Sequence, residues 1–404
     1  MKKQASLSAM KARRRNVSDS PQTNRRRSSR LSAIDELLLK IPIDLIIEIF
    51  SRLPLKSIAR CRCVSKQWAS VLRGSDFTQF FLTKALARQQ LLFYCQKEKE
   101  VSFFSSVQPQ NVVDEDSSPT AAVDHHMTFP FQRAETISSS VNGFLCINDD
   151  REVVWVICNP STRQSFTLPK MKTRRRSRKI KFLGYDPIEK QHKVLAMIML
   201  EKSVVDHQVL TLGNGNMTWR LIECGIPHYF PGLTSICING VLYYTARGSS
   251  VDDMIVCFDV RSEKYSFVRA AERGMHFATL INFQGKLAST KAARHYFISG
   301  RSKSFEIWIL DDPEKHEWSK CKFRLPLMWG SPAVKRFVSF VGVTATNEFV
   351  FSSFSSEPFY VYYYNFVKNS ITRVQIEGMG GFKWDYRVGI FLNHVEDVKL
   401  MELF

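Results

Sequence analysis

The chain has 404 residues, of which 44% are apolar, and a formal net charge of +19. That length holds one large domain and a small one, and the apolar content supports a sizeable core. No run of about 18 uncharged apolar residues occurs, which excludes a membrane-spanning helix, and the N-terminus lacks the apolar stretch of a secretory signal.

The charge is concentrated in two places. Residues 1–33 hold ten Lys or Arg and one acid (Asp19), a net +9, while residues 170–181, KMKTRRRSRKIK, hold eight bases and no acid, leaving +2 for the rest. Neither cluster contains an aromatic residue for stacking, which argues against a general nucleic-acid binder. Nine cysteines are scattered without a C-x-x-C pair. Several fall in apolar runs, where cysteine acts as a small hydrophobe, so a reducing intracellular compartment is expected, without structural disulfides or zinc.

In chain order, residues 1–35 read as a disordered basic tail, serine-rich and without apolar periodicity. Two clusters, one with Arg13, Arg14 and Arg15 and one with Arg25, Arg26 and Arg27, stand nine residues apart, the layout of a bipartite nuclear import signal. A merely solvated tail fits as well. An organelle presequence shares the composition, although Asp19, Pro21 and Asn24 interrupt any amphipathic helix. The expected location is the nucleus, the cytoplasm or both.

Residues 36–88 form the next unit, organised around IPIDLIIEIFSRLPLKSIARCRCVSKQWASVL (41–72). Pro42 and Asp44 suit a first helical turn. Ile41, Leu45, Ile49 and Leu53 recur every fourth residue, widened by Ile46 and Phe50, which predicts a helix with one broad apolar face. Pro54 stops it. Leu55, Ile58 and Ala59 mark a second helix, and Ser65 can N-cap a third carrying Val64, Trp68 and Leu72 on one side. A unit of about 35 residues cannot bury so many large groups alone. It is either a lobe of a larger core or a docking surface for a partner's helices.

This stretch resembles an F-box, the module that binds the Skp-type adaptor of cullin-based ubiquitin ligases. The resemblance is carried by Ile41-Pro42, Asp44-Leu45, Glu48-Ile49, Arg52-Leu53-Pro54, Lys56-Ser57 and Cys63-Val64-Ser65-Lys66 with Trp68. Cys61 departs from it, standing where the plant family carries an aromatic residue, so looser local packing is expected there. The resemblance implies that Pro42, Leu45, Ile49, Leu53, Pro54, Ile58, Val64 and Trp68 face the adaptor or support the surface that does. Beyond it, Ser75 can cap a linking helix with Phe77, Phe80, Phe81 and Leu86.

Residues 89–404 change to short strands and turns. Leu91–Tyr94 reads as a strand; 96–126 are polar, with Gln96 to Glu100 and Asp114 to Ser118 as loop material, and His125 and His126 have no nearby Cys or ordered acidic partner. From GFLCIN (143–148) onward, hairpins lead to apolar strands ending in Asn or Asp. Asp259, Asp311 and Asn365 recur at spacings of 52 and 54, a period expected of a kelch-like four-stranded blade. The expected fold is therefore a small all-α module followed by an all-β, propeller-like domain. Its C-terminal run YRVGIFL (386–392) serves as closing strand. FLGYDPIEKQHKVL (182–195), VLTLGNGNMTWRLI (209–222), SICINGVLYY (235–244), IVCFDVRSEKYSF (255–267) and EIWILDDPEKHEWSK (306–320) resemble the plant F-box-associated domain of type 3.

Catalytic signatures are missing from the sequence. Gly213-Asn214-Gly215 lacks a P-loop lysine and reads as a hairpin turn, and no G-x-S-x-G elbow occurs. His316, near Asp311, Asp312 and Glu314, could belong to a metal loop but fits a polar turn better. The 30 phenylalanines read as packing between blades.

The resemblance implies a substrate-recognition subunit of an SCF-type (Skp–cullin–F-box) ubiquitin ligase. Such a subunit has no catalytic residue, cofactor or metal and acts by tethering. Its partners would be a Skp-type adaptor, a cullin through that adaptor, and an unidentified protein substrate, with no membrane. The alternative is a β-propeller enzyme or nucleic-acid-binding domain with a helical N-terminal interaction module. Convergent acids or histidines on a blade edge, or a basic-aromatic groove, would favour that alternative. For the substrate, Arg174, Arg175, Arg176 and Arg178 lie either in a solvated loop or in a docking site for acidic or phosphorylated segments.

Overall fold

The computed structural model describes residues 41–401 apart from 98, 109–118, 131–133, 139, 150–153, 172–177, 201–202, 214, 216, 226, 230, 233–234, 249–251, 291–296, 299–301, 327–337, 354–357 and 381–386. The N-terminal tail with its six flagged arginines, and Arg174, Arg175 and Arg176, lie outside the described residues. The chain divides into two compact units, one ending at Phe77 and the other beginning at Thr78.

Four helices open the described chain: α1 (Ile43–Ser51), α2 (Leu55–Cys61), α3 (Lys66–Arg73) and α4 (Ser75–Leu86). The unit boundary falls inside α4, which starts at Ser75 itself. No helix among the described residues is long and apolar enough to cross a membrane.

The remaining strands form six antiparallel sheets, the six blades of a β-propeller. Three blades are built from four consecutive strands each, and the fifth is interrupted only by Phe297–Ile298, which joins the sixth. The second holds Ala134–Ile137, Leu145–Asp149, Val154–Asn159 and Gln164–Thr167; the third Arg178–Asp186, Gln191–Leu200, Ser203–Thr211 and Arg220–Ile222. The fourth holds Ser235–Ile238, Val241–Arg247, Asp253–Asp259 and Tyr265–Arg269; the fifth Leu280–Phe283, Lys286–Thr290, Ser304–Asp312 and Glu317–Arg324. The sixth is Val338–Val343, Phe349–Ser353, Phe359–Asn365 and Ser370–Glu377, extended at its edges by Phe297–Ile298 and by Thr120–Ala122 in parallel. The first blade joins the two ends of the domain: Arg387–His394 pairs antiparallel with Gln90–Lys97, followed by Glu100–Val107 and Asp124–Pro130. The C-terminal run does close the ring, pairing with the strand that opens the domain.

Packing confirms the closure. Leu92 and Phe103 of the first blade pack with Leu145 and Ile147 of the second, and Phe182 and Leu195 of the third with Leu242 and Phe258 of the fourth. Phe305 and Phe349 join the fifth blade to the sixth, and Phe359 and Tyr363 return to Leu91 and Phe93 of the first. The phenylalanines thus lie largely between blades. Central strands covered on both faces lose polar alternation, as in Gln191–Leu200, whose eight inner residues are all buried.

The same effect hides strands in the polar stretch 96–126, and Gln96 to Glu100, read as loop, ends one strand and opens the next. Glu100–Val107 is a strand whose six inner residues are buried. Its serines are satisfied in place: Ser102 bonds Thr128 at 2.8 Å, Ser105 bonds His126 Nε2 at 2.7 Å, and Ser106 donates to the Ala122 carbonyl at 3.1 Å. A buried polar group with a partner costs little, so composition alone misreads it.

The Asn/Asp repeat is a turn with a fixed internal geometry. Asn159, Asp186, Asp259, Asp312 and Asn365 each accept a backbone N–H from two or three residues ahead through Oδ1. The residue four places on, Arg163, Lys190, Glu263, His316 or Asn369, takes a left-handed φ between 51° and 60°. Such Asx turns mimic a backbone turn. Asp312 therefore replaces Asp311 in the repeat, making both spacings 53. The Asp311 carboxylate instead meets Lys286 at 2.8 Å, and His316 is a turn residue.

Two buried histidines sit at blade junctions. Nε2 of His192 donates to the Val141 carbonyl at 2.9 Å, and Nδ1 of His394 lies 2.8 Å from Ser140 Oγ. Burial pushes His192 down to about 4, and burial with His126 nearby pushes His394 down to about 3. Both stay neutral in the fold, while the unfolded chain takes up their protons below about pH 6.5. Their contribution is therefore complete above pH 6.5 and lost as pH falls towards 4 and then 3. Denaturation midpoints should fall across that window, and His192→Gln should make the fall shallower. An unchanged slope in the variant would assign the acid sensitivity to other groups.

Candidate functional site

The helical unit is assembled by local signals. Pro42 supplies the carbonyl that accepts from Leu45 and Ile46, opening α1, and Asp44 sits at the positive end of its dipole. Pro54 ends the intervening turn and caps α2, and Ser65 Oγ accepts from Trp68 N at 3.3 Å to start α3. The guanidinium of Arg62 donates to the last-turn carbonyl of Leu72 at 2.9 Å. Three short helices are held by these caps and by a small inner cluster in which Ile46, Phe50, Ile58 and Leu72 are buried. The Phe50 and Trp68 rings meet edge to face with centroids 4.8 Å apart, a favoured aromatic geometry.

The α1 helix is apolar on two faces. Ile46 and Phe50 turn inward, whereas Ile43, Leu45 and Ile49 are 50%, 54% and 56% exposed. Around their edge runs a groove of about 350 Å³ lined by Pro42, Ile43, Ile46, Phe50, Trp68 and Val71. Apolar helix faces are normally covered, and contiguous exposed apolar surface of this kind is characteristic of interaction sites.

The eight residues singled out for the adaptor divide accordingly. Leu45 and Ile49 present side chains to solvent, and Pro42 and Trp68 line the groove. Leu53 and Val64 are half-buried at the turns, and Pro54 is exposed as the α2 cap. Ile58, at 1% exposure, holds the helices together and has no free surface. Ile43 and Val71 were not singled out. The signal for Val71 is its place one turn beyond Trp68, at i+3, on the same side of α3.

Residues 178–181 of the basic segment lie in a strand. Arg178 begins the first strand of the third blade and is exposed. Lys181 is buried in that strand, its Nζ 5.0 Å from the Trp155 ring centroid and 4.9 Å from that of Trp219. Burial pushes its ammonium down to about 8. The aromatic partners missing from residues 170–181 arrive from the second blade and from the residue preceding the last strand of the third.

Four helices followed by a six-bladed propeller define a two-part architecture. A model of the F-box domain matches residues 38–80, and one described as the F-box associated beta propeller domain matches residues 90–395. The chain belongs to the F-box proteins that carry this propeller. It is 50% identical over 405 residues to F-box protein DOR of Arabidopsis thaliana, covering 97% of this chain and 100% of that protein. It is 46% identical over 403 residues to F-box protein At5g65850 of the same organism, covering 97% and 99%.

Proposed function

We propose that this chain is the substrate-recognition subunit of an SCF-type ubiquitin ligase. The exposed apolar face of α1, with Leu45 and Ile49 on a unit too small to cover them, carries the reading. That face docks a Skp-type adaptor and through it a cullin; the propeller holds a protein substrate. The subunit contributes no catalytic group. It raises the local concentration of substrate lysines near the charged conjugating enzyme, as any two-site tether does.

Arg174, Arg175, Arg176 and Arg178 form the proposed substrate contact, because guanidinium groups pair carboxylates and phosphates in bidentate fashion. The test captures proteins on the full chain in cells under proteasome inhibition. Replacing Arg174, Arg175 and Arg176 by alanine should release the captured substrates and spare the adaptor. Equal capture by the variant would move the substrate site elsewhere on the propeller, and a wild-type chain that never co-purifies with adaptor and cullin would end the ligase reading.

A further inference from the structure

The junction of the third and fourth blades gathers three metal-ligating side chains from separate places in the chain. His207 lies on the Ser203–Thr211 strand, and Cys224 and His228 lie on the connection that leaves the third blade after Arg220–Ile222. One ligand atom from each falls within 4.8 Å of the other two. This is the one such group among the described residues. We propose that His207, Cys224 and His228 bind a single Zn²⁺ that fastens the connection leaving the third blade to that blade's own strand.

The geometry favours a metal over a mere packing cluster. Cys224 Sγ lies 4.0 Å from Nδ1 of His228. Across a tetrahedral zinc, bond lengths of about 2.3 Å to sulfur and 2.05 Å to nitrogen separate the two donors by about 3.6 Å. Closing the site therefore takes small torsions at the half-buried Cys224. Each imidazole also has the outer partner that a ligating histidine needs. Tyr244 Oη lies 3.0 Å from Nε2 of His228, and Tyr265 Oη lies 2.7 Å from Nδ1 of His207. A tyrosine hydroxyl that accepts one ring N–H fixes the tautomer whose other nitrogen carries the lone pair.

Protonation fits too. Burial disfavours the charged imidazolium of His207, and ligation requires a neutral ring. The thiol must give up its proton to solvent as the Zn–S bond forms, which makes binding tighter as pH rises. One thiolate and two imidazoles are the donor set of a tetrahedral d¹⁰ ion, with a water completing the shell from the half-exposed cysteine side.

The structural return is on the connection between the two blades. The connection carrying Cys224 and His228 meets the fourth blade through Tyr229 N donating to the Arg247 carbonyl at 2.7 Å, and the reverse bond at 2.8 Å. The metal adds a cross-link between that connection and the third blade's own strand. Sequence inspection misses the site because Cys224-x-x-x-His228 is too short a pattern to stand alone. His207 joins it only through the sheet, where it pairs with Ile222.

The experiment titrates the reduced full-length chain with Co²⁺. The expected result is saturation at one equivalent, with visible bands of tetrahedral cobalt and a near-ultraviolet thiolate-to-metal band, both abolished by Zn²⁺. Cys224→Ser should remove the near-ultraviolet band, and Tyr265→Phe should weaken affinity by about 10–100-fold. In the wild-type chain Zn²⁺ should raise the melting temperature and a chelator should reverse it, a readout independent of any variant's folding. Absence of saturable tetrahedral bands, a thiolate band that survives Cys224→Ser, or no thermal shift with Zn²⁺ would each overturn the proposal.

Discussion

Replacing Leu45 and Ile49 together by alanine should weaken binding of a purified Skp-type adaptor by about 10²–10⁴-fold, since fully burying one such side chain is worth about 1.5–3 kcal/mol and each 1.4 kcal/mol is tenfold. Both side chains stand more than half exposed on α1, so the free chain gives up little packing. Its melting temperature should stay within a few degrees of wild type. Ile58→Ala makes the contrast. That side chain is enclosed, and removing it should cost about 2–5 kcal/mol of stability in the helical unit, with any loss of binding following from unfolding. Calorimetric titration with adaptor, beside thermal melts, separates the two cases. Wild-type affinity in the Leu45/Ile49 variant would show that the exposed face of α1 is not the docking surface.

Deleting residues 385–404 should abolish the cooperative transition of the propeller. The deletion removes the strand that pairs with Gln90–Lys97 from Gln90 to Gln96. It also removes the buried Val395, Val398 and Met401. The segment after the strand is tied to the second blade as well, where Asn159 Nδ2 donates to the Asp397 carbonyl at 2.9 Å and Gln164 Oε1 accepts from Met401 N at 2.9 Å. Three enclosed apolar side chains at about 1.5–3 kcal/mol each account for much of the 5–15 kcal/mol that stabilises a typical domain. The exposed Gln90–Lys97 edge then invites association.

A milder probe is Gly389→Ala. A Cβ at that position would stand 2.0 Å from a Tyr94 ring carbon. Overpacking of this kind costs about 1–3 kcal/mol, enough to lower the denaturation midpoint without disrupting the ring. A soluble, cooperatively melting truncation would show that the C-terminal strand is dispensable to closure.

Short-range physics was legible from the residues alone. Pro54 and Ser65 divide the helical stretch because a proline lacks the donor a helix interior needs and a serine hydroxyl satisfies an orphan one, and the structure has both caps in place. The aspartate and asparagine turns were visible as a period for the same reason: each side chain completes a bond to backbone only two or three residues away. What depends on distant covering surfaces was not legible. Periodicity made one broad stripe of Leu45, Ile46, Ile49 and Phe50, and only the α3 helix, arriving with Trp68, decided that Ile46 and Phe50 face inward. Glu100–Val107 has the composition of a loop and the burial of a core strand, because Thr128 and His126 reach its serines from the neighbouring strand. Lys181 was one base in a charged run until Trp155 and Trp219 enclosed it. Six blades could not be counted along the chain, since the first is sewn from its two ends. His207, Cys224 and His228 likewise meet only when the third blade delivers its last connection to the fourth.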